Sequence, residues 1–503
     1  MGVGRVLIEK AVSRALESLR KASDPDRLLQ EAMDALIEAR RDEAQRKGRR
    51  GWRRGRPLKL LFAGYVGSRN TGADVRTAEM LRQFRHLLGE ENAELSVFTI
   101  DPQWTRSYFP GVEQIKVPEI FPPFLYQEVP NHDGVVACEG SMFKSKFASA
   151  LTTMMVGAMG LARAEGKIAI GYGGEAGYMD PSLEEMVKKH VPGSLVITRN
   201  PESTAVLEKL GIPSRVGTDT AWSFGGEAID RADGLGEKLL RQLGWDGKQK
   251  VLIVCPINPF WWPVRPSPWK AMINKATKHY DHIHFRSIYF HTDGPEVEKK
   301  FSTYINHLAR ASWVIARRFK LFPVVVAMEA LDREAGIRFG EVISGLGQSW
   351  PFVRSDEHDM FEVVSLLRRA SLIVSSRYHA IVCSMPQGVP AIGVTMDERI
   401  RNLMRDRGSP ELAIEVDDPA LEGKLIQAAL RLIKESEKEK EINQRMVVRH
   451  LEIMGRMGAI VVDHIREHHP EFPFKKDLGE GGDPWKHLPP LPELQMKIVE
   501  QFA

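Results

Sequence analysis

Ser371-Leu372-Ile373-Val374-Ser375-Ser376-Arg377-Tyr378-His379 runs from a short apolar strand directly into the start of a helix, and this stretch decides the fold. A strand covered on both faces carries consecutive apolar residues instead of alternating ones, so Ser371 to Val374 reads as a buried parallel strand. Tyr378 to Gln387 reads as a short helix that Gly388 stops. Arg377 and His379 therefore fall at a strand-to-helix corner. The first amides of a helix have no partner within it and point outward, and a guanidinium and an imidazole beside them add charge-assisted donors. In an open α/β sheet, ligands collect beyond the carboxyl ends of the strands, so the corner is expected to bind an anion.

The same alternation extends outward in two series. Leu58 to Ala63, Leu95 to Ile100, Gly134 to Cys138, Ile168 to Gly171 and Leu195 to Thr198 form the first. Val251 to Val254, Val324 to Ala327, Leu372 to Ser375 and Ala391 to Val394 form the second. Strands separated by helical stretches imply parallel sheets with crossovers. The expected fold class is α/β: two Rossmann-like, doubly wound domains facing a cleft, with an N-terminal helical extension. The domains are placed at 57–225 and 249–466, with a hinge at 226–248 and a Pro-rich C-terminal strap at 467–503. Residues 1–56 hold a helical hairpin, restarted at Asp24-Pro25, and then a basic segment from Arg46 to Arg56. That segment reads as a solvated linker, or as a contact for a membrane surface or an acidic partner.

Composition narrows the function. A length of 503 residues exceeds one core, and 70 basic against 66 acidic residues leave a net charge of only +4. No nucleic-acid partner is expected. Cys138, Cys255 and Cys383 are scattered beside apolar runs and read as reduced core residues. The N-terminus lacks the apolar core of a signal peptide, and the apolar stretch 148–162 is shorter than the roughly 20 residues of a membrane span. A cytoplasmic protein follows as the expectation. The loop from Gly64 through Tyr65, Gly67, Asn70 and Gly72 to Asp74 brings backbone close to a ligand, but it is not G-x-G-x-x-G, and no Walker lysine follows. No nicotinamide cofactor is expected. His282 and His284 share a strand face near His279 and His291 without completing a ligand set, so no metal is expected either. Phe260-Trp261-Trp262 and Trp269 suit either sugar stacking or core packing.

A second corner, Thr198-Arg199-Asn200-Pro201-Glu202-Ser203, repeats the first design, with Asn200 as helix cap and Pro201 at the first helical position. Arg199 is thereby aimed at the cleft from one domain and Arg377 from the other.

Taken in order, four blocks resemble the polysaccharide pyruvyl transferase family: Gly64 to Asp74; Arg199 to Ser203 with Asp219-Thr220-Ala221; Ser376-Arg377-Tyr378-His379-Ala380; and Gly388-Val389-Pro390 through Asp397 and Arg399. The resemblance spans roughly residues 58 to 410. It implies a GT-B-like fold and a cytoplasmic transferase of cell-envelope polysaccharide biosynthesis. Phosphoenolpyruvate would be the donor substrate, no separate cofactor would be needed, and a sugar or glycan, or a nucleotide- or lipid-linked precursor, would accept the pyruvyl ketal. It also implies that Arg199, Arg377 and His379 engage phosphoenolpyruvate, with His379 as phosphate ligand and general acid. Ser376, Gly64, Tyr65, Gly67, Asn70, Asp74, Glu139, Gly140, Ser141 and Arg399 would line the substrates. A donor with a phosphate and a carboxylate suits two permanently charged planar forks. The chain departs from the family where Ala73 separates Gly72 from Asp74, where Cys138-Glu139-Gly140-Ser141 replaces a glycine cluster, and where Arg399 replaces a lysine. Two alternatives stand beside this reading: a GT-B glycosyltransferase using a nucleotide sugar, and a non-catalytic member that binds a glycan or a partner. Homo-oligomerisation is left open.

Overall fold

The computed structural model describes residues 24–48, 51–225, 234–278, 289–475, 478 and 483–503. The first sheet is parallel, in the order β3-β2-β1-β4-β5-β6-β7. Its strands are β1 (Leu58–Ala63), β2 (Ala93–Thr99), β3 (Glu113–Lys116), β4 (Gly134–Ala137), β5 (Ile168–Gly174), β6 (Leu195–Thr198) and β7 (Arg215–Val216). After β8 (Val251–Cys255), a two-stranded antiparallel ribbon forms from β9 (Arg265–Pro266) and β10 (Tyr289–Phe290). The remaining strands are β11 (Phe322–Ala327), β12 (Phe352–Arg354), β13 (Leu372–Ser375), β14 (Ala391–Thr395) and β15 (Ala413–Glu415). With β8 they make the second parallel sheet, in the order β12-β11-β8-β13-β14-β15.

Each sheet thus grows outward from its first strand in one direction and then the other, leaving a crevice where the order reverses. In the first sheet the reversal lies between β1 and β4, at Gly64 and Cys138-Glu139-Gly140. In the second it lies between β8 and β13, where the Ser376 amide donates to the Cys255 carbonyl at 3.0 Å. The opening motif therefore sits at a topological switch point. Both layers of the first domain follow from alternate residues of β1. Phe62 packs edge-on against Phe84 of the helix Thr71–Leu88 at 5.1 Å, while Leu61 and Ala63 join the methionine-rich helix Ser149–Ala164 on the other face. The short strands β3, β7, β12 and β15 were not expected. They lie at or next to sheet edges and carry polar residues such as Glu113, Arg215 and Glu415, which hides them from an apolar-run reading.

The first arm of the N-terminal hairpin falls outside the described residues. The second is the helix Pro25–Lys47, whose Met33 and Ile37 occupy the space beside Gly157 and Gly160 of the helix Ser149–Ala164. Residues 51–56 are mostly exposed, with two anchored side chains. Arg56 grips Asp133 with two hydrogen bonds of 2.6 and 2.5 Å, and Trp52 packs against His469 and Phe472 at 5.4 and 5.3 Å.

The boundary expected at 466 also moves. The chain recrosses to the first domain inside the 33-residue helix Ser436–His468, because its buried face continues from one domain to the other. Asn443 donates to Val389 of the second domain at 2.8 Å, whereas Gln83 of the first donates to the Met454 carbonyl at 2.9 Å. The strap then lies on the first domain, where Gln83 and Arg82 donate to the carbonyls of His487 and Pro490. It ends in the helix Glu493–Phe502 rather than in extended chain. No helix among the described residues is long and apolar enough to cross a membrane.

Candidate active site

Arg199 leaves the carboxyl end of β6 with its amide held by the Gly174 carbonyl at 2.8 Å. The next helix, Pro201–Lys209, is capped by Asn200, whose side chain accepts from the Ser203 amide at 2.9 Å. This fixes the direction of the Arg199 side chain. Its guanidinium meets Asp219 at 2.7 Å and Glu175 at 3.0 Å, and lies 4.7 Å from the ring centroid of Tyr378, which belongs to the other domain.

Asp219 is the centre of this arrangement. It is completely buried, receives Arg199 and His379 (3.3 Å), and lies 3.6 Å from Arg76 Nε. Burial alone would raise its carboxyl, but Arg76, His379 and Arg199 outweigh burial and hold it well below the usual range. For His379, burial dominates over Asp219 and lowers the imidazole below its ordinary value. Gly72 makes this placement possible: a Cβ there would come 2.1 Å from His379 Nδ1. Gly140 keeps backbone alone beside the Arg199 and Arg76 guanidinia. The Nε atoms of both arginines are buried without a hydrogen-bond partner among the described residues.

The second corner is built differently. Ser375 Oγ accepts from the Arg377 amide at 2.9 Å. The side chain of Arg377 is held by Asp332, through Nε at 2.8 Å and through Nη2, and by Glu329 at 2.7 Å. Both acids follow the carboxyl end of β11, and one cation serves two carboxylates. Burial and the nearby Glu329 consequently raise Asp332 to about 6 despite Arg377. Across the cleft stands Asp74, raised to about 7 chiefly by burial and further by Glu139 and Glu329; its Oδ2 has no hydrogen-bond partner among the described residues. Tyr65 is half-buried nearby, and desolvation with the Glu329 carboxylate raises its hydroxyl well above the ordinary value. The domains are joined here by the Thr71 amide donating to Met328 O at 2.9 Å, and by Lys144, which pairs with Glu175 at 2.5 Å and with Glu398 of the second domain.

The sequence-predicted residues divide into groups. Arg199, His379, Gly140 and the Gly72 helix start converge on Asp219. Arg377, Tyr65, Asp74 and Glu139 gather near Glu329. Ser376 is turned to Tyr304, oxygen to oxygen 2.8 Å. Arg399 pairs with Asp397 at 2.6 Å and stacks over Phe147 at 4.6 Å. Gly64 and Gly67 have structural roles, since a Cβ on them would strike Cys138 Sγ at 2.6 Å and Thr99 Oγ1 at 2.1 Å. Asn70 caps its helix through the Ala73 amide at 3.2 Å. Ser141 is buried after β4. Both arginines hold carboxylates, because an unpaired guanidinium so largely removed from water is costly.

Those carboxylates, together with Arg76 and Lys144, were missed as site residues. Glu175 and Glu329 follow strand ends, as the anticipated basic residues do, and that position was the available signal. His279, His282 and His284 lie outside the described residues. Among the described residues no group of three His, Cys, Asp or Glu side chains could hold a metal ion.

Solved structures with this architecture include a UDP-GlcNAc 2-epimerase from Neisseria meningitidis bound to UDP-GlcNAc. It is 10% identical with a TM-score of 0.50, over 77% of this chain and 94% of the other. Another is MnaA from S. aureus in complex with UDP, also 10% identical with a TM-score of 0.50, over 83% and 99% of the two chains. At that identity the likeness is one of fold, the GT-B-like pair of domains. No curated protein matches the chain. The family model for polysaccharide pyruvyl transferase matches residues 70–398, from the Asn70 cap through the Asp219 hub and the Arg377–His379 corner to the start of the helix that carries Arg399. On that match, the chain belongs to the polysaccharide pyruvyl transferase family.

Proposed function

We propose that the protein transfers the pyruvyl group of phosphoenolpyruvate to two hydroxyls of one sugar, forming a ketal and releasing phosphate. The observation that carries this reading is the convergence of Arg199, Arg76 and His379, from two domains, on one buried carboxylate at two strand-to-helix corners. Three donors at one place suit a phosphate.

In this reading the donor phosphate takes the guanidinium of Arg199 and the imidazole of His379, with Arg76 behind them beside Asp219. The donor carboxylate reaches Arg377 and displaces part of its hold on Glu329 and Asp332. C3 of the enol takes a proton, which in this reading comes from Asp74, raised to about 7. One sugar hydroxyl then bonds to C2. A second hydroxyl attacks C2, the C2–O bond to phosphate breaks, and the electron pair leaves with phosphate. His379, whose imidazole burial lowers, takes a proton in the presence of the phosphate and supplies it to that departure. One hydroxyl proton is thus balanced by the new C3–H bond and the other by the released phosphate. Phosphoenolpyruvate is a cytoplasmic metabolite, which places the reaction in the cytoplasm.

The test is phosphate release from phosphoenolpyruvate in the presence of glycan acceptors, with the ketal methyl group followed by proton NMR. Turnover of nucleotide sugars without turnover of phosphoenolpyruvate would replace this reading with glycosyl transfer.

A further inference from the structure

A cavity of about 800 Å³ opens beside the carboxyl ends of β14 and β15, walled by Phe260 and Trp262 on one side and by Thr292 to Lys300 on another. Its volume is within the range of small-molecule sites. It adjoins the candidate active site on two flanks. On the first, the Trp262 ring packs edge-on at 4.8 Å against Phe147, over which Arg399 lies. On the second, Phe260 is 6.4 Å from Tyr304, whose hydroxyl bonds Ser376.

Charge determines what could enter. Three cations and four carboxylates line the cavity, and most are already matched. Lys300 pairs with Glu296 at 2.8 Å and Arg401 with Glu415 at 2.6 Å, while Asp293 holds Lys270 at 3.0 Å. Among the described residues only Lys146 and Asp417 of this lining make no ion pair, and burial lowers the Lys146 ammonium below its ordinary value. A nucleoside diphosphate would bring at least two negative charges to a lining that offers one unmatched cation beside one unmatched carboxylate. An uncharged sugar needs none. It presents an apolar ring face to an aromatic wall and hydroxyls to polar side chains, and this cavity has both.

We infer that this cavity is the acceptor site and receives an uncharged glycan, with a sugar ring on Trp262 and its hydroxyls at Asp417 and Lys146. The inference rests on the pyruvyl-transfer reading for the word acceptor, but not for the binding itself. Glycan specificity then resides in the second domain, beside the Arg377 corner, and not in the departures at Glu139 and Asp74.

Saturation-transfer NMR with lactose, maltose, cellobiose and N-acetyllactosamine, and separately with uridine diphosphate, tests this on the full chain. At least one disaccharide should bind through ring protons, weaken about tenfold or more in Trp262→Ala, and recover in Trp262→Phe. Asp417→Asn should weaken it about threefold or more. Binding of phosphoenolpyruvate, measured in the same samples, should be unchanged in all three variants. If no disaccharide binds the wild type, if Trp262→Ala binds as well as wild type, or if uridine diphosphate binds and is lost in Trp262→Ala, the inference is overturned. Absence of phosphoenolpyruvate binding to the wild type would instead remove the donor reading and leave the sugar result standing.

Discussion

The Arg199 and Arg377 corners share one plan, a parallel strand that delivers an arginine to a helix start, yet their surroundings are opposite. At Arg199 the central carboxylate, Asp219, is attended by two arginines and a histidine. At Arg377 a single arginine is shared by Glu329 and Asp332, with Asp74 and Glu139 close enough to affect the same groups. At the first, several donors meet one central carboxylate; at the second, several carboxylates meet one cation. The difference teaches that repeated topology fixes where a charged side chain emerges, while neighbouring strand ends decide whether the place attracts an anion or stores a proton.

The largest expected effect separates the corners by activity. Arg199→Ala should lower kcat/KM for phosphoenolpyruvate by about a thousandfold with little change in melting temperature, because Asp219 keeps Arg76 and His379. Arg377→Ala should instead show in stability, by about 3 kcal/mol, since it strands two buried carboxylates. Adding Asp332→Asn should restore much of that loss in denaturant titrations. Equal losses of stability in the two single variants would abolish the distinction.

Next in size is the removal of the shared hub. Asp219→Asn should reduce kcat by about a hundredfold and raise the imidazole's resistance to protonation, seen as a lower His379 pKa by NMR. An unchanged His379 titration would show that the two corners are not coupled through this carboxylate.

Asp74 sharpens the comparison through pH. Its native value of about 7 lies above the unfolded value of about 4, so its contribution to stability is complete below pH 4 and is lost as pH rises through 7. Asp74→Asn should therefore gain stability relative to wild type at pH 8, by up to about 4 kcal/mol, compared with pH 4. The variant should also lose any limb of the activity profile near pH 7.

The smallest effect is expected far from both corners. Arg56→Ala should cost about 1 kcal/mol, because Asp133 keeps the Lys59 amide at 3.0 Å and Arg56 is partly in water. Activity should not change. A loss of turnover would make the N-terminal extension part of the site.

Much of this was legible in the chain. Buried parallel strands are short apolar runs, so Leu58–Ala63 and Leu372–Ser375 declare themselves, and Asn70 and Asn200-Pro201 mark two of the helix starts behind such strands. Two kinds of feature were not. Edge strands such as Glu113–Lys116 lack the apolar pattern because one side faces water. The acids that hold the two arginines lie far from them in sequence, Asp332 some 45 positions before Arg377, and nothing local marks such a pairing. The same holds for the helix Ser436–His468: its periodicity announces a helix, but not that its two halves serve different domains.

That helix has a consequence for how the protein is made. The first domain is completed by residues far downstream, since Gln83 and Phe224 are bonded to carbonyl or amide groups of Met454, His487 and Gln495. Synthesis at about 5–20 residues per second separates β7 from these partners by on the order of tens of seconds. Through that interval an apolar face of the nascent first domain waits uncovered beside the ribosome, and its protection falls to the second domain or to chaperones.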